Sequence, residues 1–260
     1  MPELKEIIKT YGAIPPLTSF KRPMFVGPHP DDIEFGCGGL IAKMKEQNIP
    51  VTYVIVTDGA AGGDLPPEEM KEIRKKESEE AARFLGAENI EFCDLEDGGD
   101  YSVIDAMKIL IPLVLKYQPD IIFAPDPLLK TECHPDHLKT AEAVRRLPQI
   151  VSHKESVRRH GIDVEGIEHF PSDITLAFYF SDDSNVLEEI SMKDLEAKIS
   201  ALLHHKSQMQ DDSTELLLNY FKLKAIHLGQ ETGNTLAEDY RVLVPLTQHV
   251  YSEGIHYNKW

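Results

Sequence analysis

The chain has 260 residues, with 27 Lys+Arg against 44 Asp+Glu (formal charge −17), 42% hydrophobic and 27% charged. That length and apolar content supply a core without disulfide or metal staples and exclude a disordered chain. The acidic balance, with no compact Lys/Arg patch, argues against nucleic acid as a partner, since a phosphate backbone would be repelled.

No run approaches the roughly 18 uncharged apolar residues of a membrane span. The opening MPELKEIIKT lacks the apolar stretch of a signal peptide. A cytoplasmic protein with no membrane partner is expected. Cys37, Cys93 and Cys133 are odd in number and widely spaced, which suits reduced thiols in the core or near a site.

Taken along the chain, the pattern alternates between two periods. Pro23–Gly27 (PMFVG) reads as a short buried strand, 38–47 as a helix, and Val51–Thr57 (VTYVIVT) as a strand buried on both faces. A long amphipathic helix follows over 66–85, opened by prolines and acids and stopped at Gly86. Strand 90–94, helix Val103–Tyr117 and strand 120–124 come next. A helix over 134–147 carries Pro135 in its first turn, where proline is favoured.

Beyond residue 147 the periodicity loosens. Residues 149–172 read as a loop or flap, 174–180 as a fifth strand, and 192–205 and 214–228 as helices of a C-terminal helical extension over 190–260. No linker separates the parts, so residues 1–260 are expected to form one domain. Alternating strands and helices at this spacing predict an α/β fold: a Rossmann-like three-layer sandwich with a mainly parallel sheet flanked by helices. Ligands in such sheets bind outside the carboxyl ends of the strands. The polar clusters 29–34, 57–64, 94–100 and 125–137 fall at those ends.

Two of these clusters carry chemistry. Gly27-Pro28-His29-Pro30-Asp31-Asp32-Ile33-Glu34 follows the first strand, and His134-Pro135-Asp136-His137 enters a helix after the fourth. Imidazole mixed with carboxylate suits a borderline divalent cation such as Zn²⁺. His134 and His137, three apart at a helix start, share a face. His29 and Asp32 can converge in a turn stiffened by Pro28 and Pro30. Three ligands and one open position would make a catalytic centre. There are more candidates than places, which leaves a carboxylate and an imidazole for proton transfer.

Other features point less sharply. Gly36-Cys37-Gly38-Gly39 lacks the spacing of a phosphate loop and would instead let a helix start press close to its neighbours. Loop 58–64 is turn chemistry or a substrate contact. Arg74 and Glu77 make either a surface ion pair or a guanidinium reaching into the site. Ser207 has no nucleophile elbow, which disfavours a serine hydrolase.

The two HPD-containing motifs in this order resemble the zinc-dependent N-acetylglucosaminyl deacetylases of the PIG-L (LmbE-like) family. Further echoes are Arg74-Lys75-Lys76-Glu77, Pro119-Asp120-Ile121-Ile122, His205-Lys206-Ser207-Gln208 and Ala237-Glu238. The segments GPHPDDIE and APDP…HPDH resemble the diacetylchitobiose deacetylase branch. The resemblance implies one zinc per chain held by His29, Asp32 and His137, and Asp31 as general base. It also implies His134 as an acid protonating the leaving amine or stabilising the oxyanion, Asp136 orienting it, and Arg74 on sugar hydroxyls. Glu132 stands where some members carry a tyrosine near the oxyanion, and so bears on substrate choice. The implied activity is removal of acetyl from an N-acetylglucosamine-type sugar or small conjugate, with a bell-shaped pH–rate profile and a trimeric or hexameric assembly. Two alternatives stay open: a metal-dependent amidohydrolase acting on a non-sugar or thiol-conjugate amide, and a non-catalytic sugar- or nucleotide-binding module.

Overall fold

The computed structural model describes residues 6, 10, 12–210, 213–249 and 251. In chain order they form β1 (Pro23–Gly27), α1 (Asp32–Glu46), β2 (Val51–Thr57), α2 (Pro67–Phe84), β3 (Ala87–Leu95), α3 (Val103–Tyr117), β4 (Ile121–Pro125), α4 (Pro135–Val151) and α5 (Lys154–Arg159). Then come β5 (Thr175–Tyr179), β6 (Val186–Glu189), α6 (Met192–Leu202), α7 (Ser213–Thr232) and β7 (Ala237–Leu243).

The apolar runs of β1, β2, β4 and β5 are buried at every position, as strands covered on both faces must be. The sheet order is β3-β2-β1-β4-β5-β7-β6. Five strands are parallel, and β7 then runs antiparallel to both β5 and β6. Successive side chains alternate between two cores. Phe25, Tyr53 and Phe123 pack with Leu40 and Ile41 of α1 on one face. Met24, Val54 and Ile122 pack with Leu110 of α3 and Val144 of α4 on the other. Phe25 and Phe123 stack across β1 and β4 with centroids 4.3 Å apart. The chain is thus a Rossmann-like α/β sandwich, and strand order reverses where β1 lies between β2 and β4, the place where such sheets open a crevice.

Three expectations are corrected. The helix expected over 38–47 begins at Asp32, so the HPDD segment runs straight into it. Its glycines lower helix propensity, but neighbours fill the space. A Cβ at Gly36 would lie 2.4 Å from the Tyr179 ring, and one at Gly38 would lie 2.8 Å from Lys198 Cγ. The region 149–172 is only partly a loop, because α4 runs to Val151 and α5 follows, with Val157 and Val164 buried. The C-terminal extension is not purely helical: β7 enters the sheet through AEDYRVL. Its charges hid the strand pattern, and they are paired inside: Lys198 Nζ donates to Glu238 Oε1 at 2.6 Å and Arg241 reaches Asp126 at 3.3 Å. Residues 211, 212, 250 and 252–260 of that extension lie outside the described residues.

No helix among the described residues is long and apolar enough to cross a membrane. The three cysteines are free: Cys37 buried, Cys93 half-buried, Cys133 exposed beside the second HPD motif.

Candidate active site

The site forms where the β1 and β4 ends face each other. Thr57, closing β2, donates from both N (2.9 Å) and Oγ1 (2.8 Å) to the Pro28 carbonyl, which fixes the chain leaving β1. His29 N then donates to Asp32 Oδ2 at 2.9 Å. Asp32 opens α1, where a carboxylate meets the positive helix terminus. After β4, His134 serves as N-cap of α4, with Nδ1 accepting from Asp136 N at 3.3 Å and Pro135 in the first turn. His137 follows on the same face.

His29 is the hinge of the constellation. Its Nδ1 lies 3.1 Å from Asp32 Oδ2, while its Nε2 lies 3.3 Å from Asp97 Oδ1 and 3.4 Å from Asp136 Oδ2. His137 Nε2 is 3.3 Å from Asp32 Oδ1, and its Nδ1 is 3.0 Å from Glu132 Oε2. Ligand atoms of His29, Asp32 and His137 lie within 4.8 Å of one another, as do those of His29, His134 and Asp136. The three imidazoles cluster, with the His29 ring 4.6 Å from that of His134 and 5.3 Å from that of His137.

The charges around the imidazoles shift their ionisation. Burial works against a charged His29, yet its hydrogen bonds to Asp32 and Asp97 outweigh it and lift the ring to about 10. Burial also opposes a charged Asp32, but His137 and His29 hold its carboxyl far below the usual range. The carboxylates of Asp32, Asp97 and Asp136 thus crowd the imidazoles of His29 and His137. The set of two imidazoles and one carboxylate fits zinc. Nε2 of His29 faces Asp97 and Asp136, which leaves Nδ1 on the Asp32 side.

Asp31, next in sequence to Asp32, points elsewhere. Arg74 Nη2 donates to its Oδ2 at 3.1 Å. Burial raises the Asp31 carboxyl and Arg74 pulls it back, for a net value of about 6. Arg74 is 5% exposed, so it is the inward guanidinium and not a surface pair. It also donates to the carbonyls of Gly59 (3.2 Å) and Pro30 (3.4 Å), and its Nη1 lies 3.7 Å from Asp97 Oδ2. Glu77 turns instead to Ser207, accepting from its N and Oγ at 2.9 and 2.7 Å.

Two site residues sit differently from expectation. The Asp136 carboxylate accepts from Gly98 N at 2.8 Å and faces His29 Nε2 at 3.4 Å, while the hydrogen bond to His134 comes from the Asp136 backbone N–H. The N-cap geometry imposes this. Glu132 braces histidines, pairing with His137 Nδ1 and accepting from His134 N at 2.8 Å. Burial first, then the neighbouring His29 and His137, push the His134 ring below its ordinary value.

Sequence reasoning missed Asp97 as an individual, although its cluster was placed at a strand end. Its N donates to Asp58 Oδ1 and its Oδ2 accepts from Ala61 N (3.1 and 3.2 Å), a fold-dependent clamp without a motif. It also missed Phe180, whose ring lies parallel to His137 at 6.4 Å. Phe180 has φ +56°, a left-handed conformation that costs a non-glycine residue about 1–2 kcal/mol and sits beside the site, as such strain often does.

Comparison with known proteins agrees with this geometry. The family model described as PIG-L: GlcNAc-PI de-N-acetylase matches residues 24–147. A diacetylchitobiose deacetylase of Thermococcus kodakarensis is 29% identical over 242 residues, 90% of this chain and 88% of that protein. The structure of N,N'-diacetylchitobiose deacetylase from Pyrococcus horikoshii, complexed with its inhibitor MPG, superposes with TM-score 0.86 at 30% identity. The match covers 95% of this chain and 92% of that one. A conserved protein from Thermus thermophilus is similar at TM-score 0.68 and 25% identity, over 84% of this chain and 93% of its own. With one family model spanning both HPD motifs and a relative aligned along nearly the whole molecule, the chain belongs to the PIG-L family.

Proposed function

We propose that this protein is a zinc-dependent hydrolase that removes the N-acetyl group from an N-acetylglucosamine-type sugar or small conjugate. The observation that carries the reading is the convergence of His29, Asp32 and His137 on one point, with the unligated carboxylate of Asp31 alongside. Names of relatives that act on diacetylchitobiose support the substrate class.

His29, Asp32 and His137 would hold the zinc. Bound there, it supplies Lewis acidity toward the acetamide carbonyl and toward water. Asp31, poised near neutrality with Oδ2 pinned by Arg74, takes the water proton on Oδ1 and passes it to the departing amine nitrogen. His134 accepts the Asp136 N–H at Nδ1, so its Nε2–H is the donor for the developing oxyanion. A neutral imidazole, which the lowered basicity of His134 favours, suits that role. Arg74 sets the position of Asp31 and borders the sugar side.

The test is metal content together with acetate and free-amine release from N-acetylglucosamine and N,N'-diacetylchitobiose. Asp31→Ala and His134→Ala are expected to lose about 10²–10³ or more in kcat while zinc stays near one per chain. Full activity in either variant refutes its role.

A further inference from the structure

The segment 205–208, just after α6, touches three elements that surround Asp31. His205, fully buried, sets its Nε2 3.6 Å from Glu34 Oε2 in the first turn of α1. Ser207 donates from N (2.9 Å) and Oγ (2.7 Å) to the carboxylate of Glu77, which lies one turn beyond Arg74 on α2. Gln208 Nε2 donates to the Gly62 carbonyl at 2.8 Å and to Ser207 Oγ at 3.1 Å. Gln208 is thus moored to the helix that carries Arg74 and reaches from there to the loop beside it.

From Gln208 an unbroken run of hydrogen bonds leads to Asp31. Gly62 N donates to the Gly59 carbonyl at 3.2 Å. The same carbonyl accepts from Arg74 Nη1 at 3.2 Å, and Arg74 Nη2 donates to Asp31 Oδ2 at 3.1 Å. Packing follows the same route. A Cβ at Gly62 would lie 2.2 Å from Arg74 Nη1, so the bare backbone at 62 lies against the guanidinium. Gly59, Gly62 and Gly63 give this loop wide backbone freedom, and its hydrogen bonds must hold it in place. Asp58 and Asp97 take the N–H groups of Ala60 and Ala61 at one end, and the Gln208 amide takes the Gly62 carbonyl at the other.

We propose that Gln208 is a positioning residue for the reaction. By fixing Gly62 against the guanidinium, it sets where Arg74 holds Asp31 Oδ2, and so where Oδ1 meets the proton of the attacking water. This rests on the amino-sugar hydrolase reading above. The side-chain hydrogen bonds of Gln208 go to Gly62 and Ser207, not to a candidate ligand, so zinc binding should not need it.

Gln208→Leu and Gln208→Glu keep the side chain near its size and remove the donor to Gly62. Each is expected to lower kcat on N,N'-diacetylchitobiose by about 10–100-fold, the effect of a misplaced catalytic group, with KM nearly unchanged and zinc near one per chain. Should one of them fail to fold, the other carries the test. In an Asp31→Asn background the same change should alter the residual kcat little, because no base is left to misplace. Unaltered kinetics, a raised KM at constant kcat, loss of zinc, or a full-sized loss without Asp31 overturns the proposal. If the parent chain hydrolyses no sugar amide, the amino-sugar reading fails by itself. The guanidinium proton signal of Arg74 in nuclear magnetic resonance, identified by its absence in Arg74→Lys, then decides the role of Gln208. Faster proton exchange there in Gln208→Leu supports the positioning chain, and identical exchange ends it.

Discussion

Arg74 and Asp31, 43 residues apart, form a buried ion pair with Nη2 and Oδ2 separated by 3.1 Å. The side chains are 5% and 12% exposed, so water screens the pair little. Removing one partner of such a pair strands the other, which commonly costs about 3–5 kcal/mol. Arg74→Met is therefore expected to lower the urea midpoint markedly, and Arg74→Met/Asp31→Asn to recover part of the loss. Equal losses in the single and double variants would mean that the guanidinium acts through its carbonyl contacts and not through Asp31.

Asp97 holds His29 from behind, and its loss should be felt by the cation. Partners of metal-bound histidines typically contribute about 10–100-fold in affinity. Competition between the protein and a chromogenic chelator should register a drop of that size in Asp97→Asn. Unchanged zinc affinity would relegate Asp97 to shaping the loop.

Stripping the metal should also loosen the fold. The candidate ligand residues follow the ends of two strands, and carboxylates crowd their imidazoles. A cation bound to the native state alone adds about 2.7 kcal/mol at a free concentration one hundred times its Kd. Thermal unfolding should shift upward with added zinc and return on chelation. A melting temperature indifferent to both would argue against a native-state site.

His205 is buried with Glu34, Nε2 to Oε2 3.6 Å. Burial disfavours the charged ring, but the neighbouring carboxylate of Glu34 outweighs this and raises the pKa. A raised folded-state value means that the stabilisation is complete below the unfolded pKa of about 6.5 and disappears as pH rises through the higher folded value. The gap in urea midpoint between the parent chain and His205→Asn should thus be wider at pH 6 than at pH 9. A constant gap would show that the ring is neutral throughout.

What could be read from the chain follows from what a one-dimensional pattern contains. VTYVIVT and PMFVG announce buried parallel strands because both faces are apolar, and the HPD motifs fall at their ends. β7 was illegible because Glu238 and Arg241 look solvent-facing until Lys198 and Asp126 are found opposite them. Asp97 is one acid among several in EDGGD, selected only by the backbone N–H of Ala61 and by Asp58. The contact of Glu132 with His137 depends on how the loop before α4 turns, which no spacing in the chain announces.

The loop around Arg74 has a consequence for how such chains can diverge. A side chain at Gly62 would place its first carbon 2.2 Å from Arg74 Nη1, and one at Gly59 would meet Pro30 at 3.0 Å. Neither glycine can drift while the guanidinium stays, and the guanidinium cannot leave without abandoning Asp31. Positions 59, 62, 74 and 31 are thus expected to change together. A descendant found with a bulky residue at 62 should have lost its arginine as well, and with it this way of holding the Asp31 carboxylate.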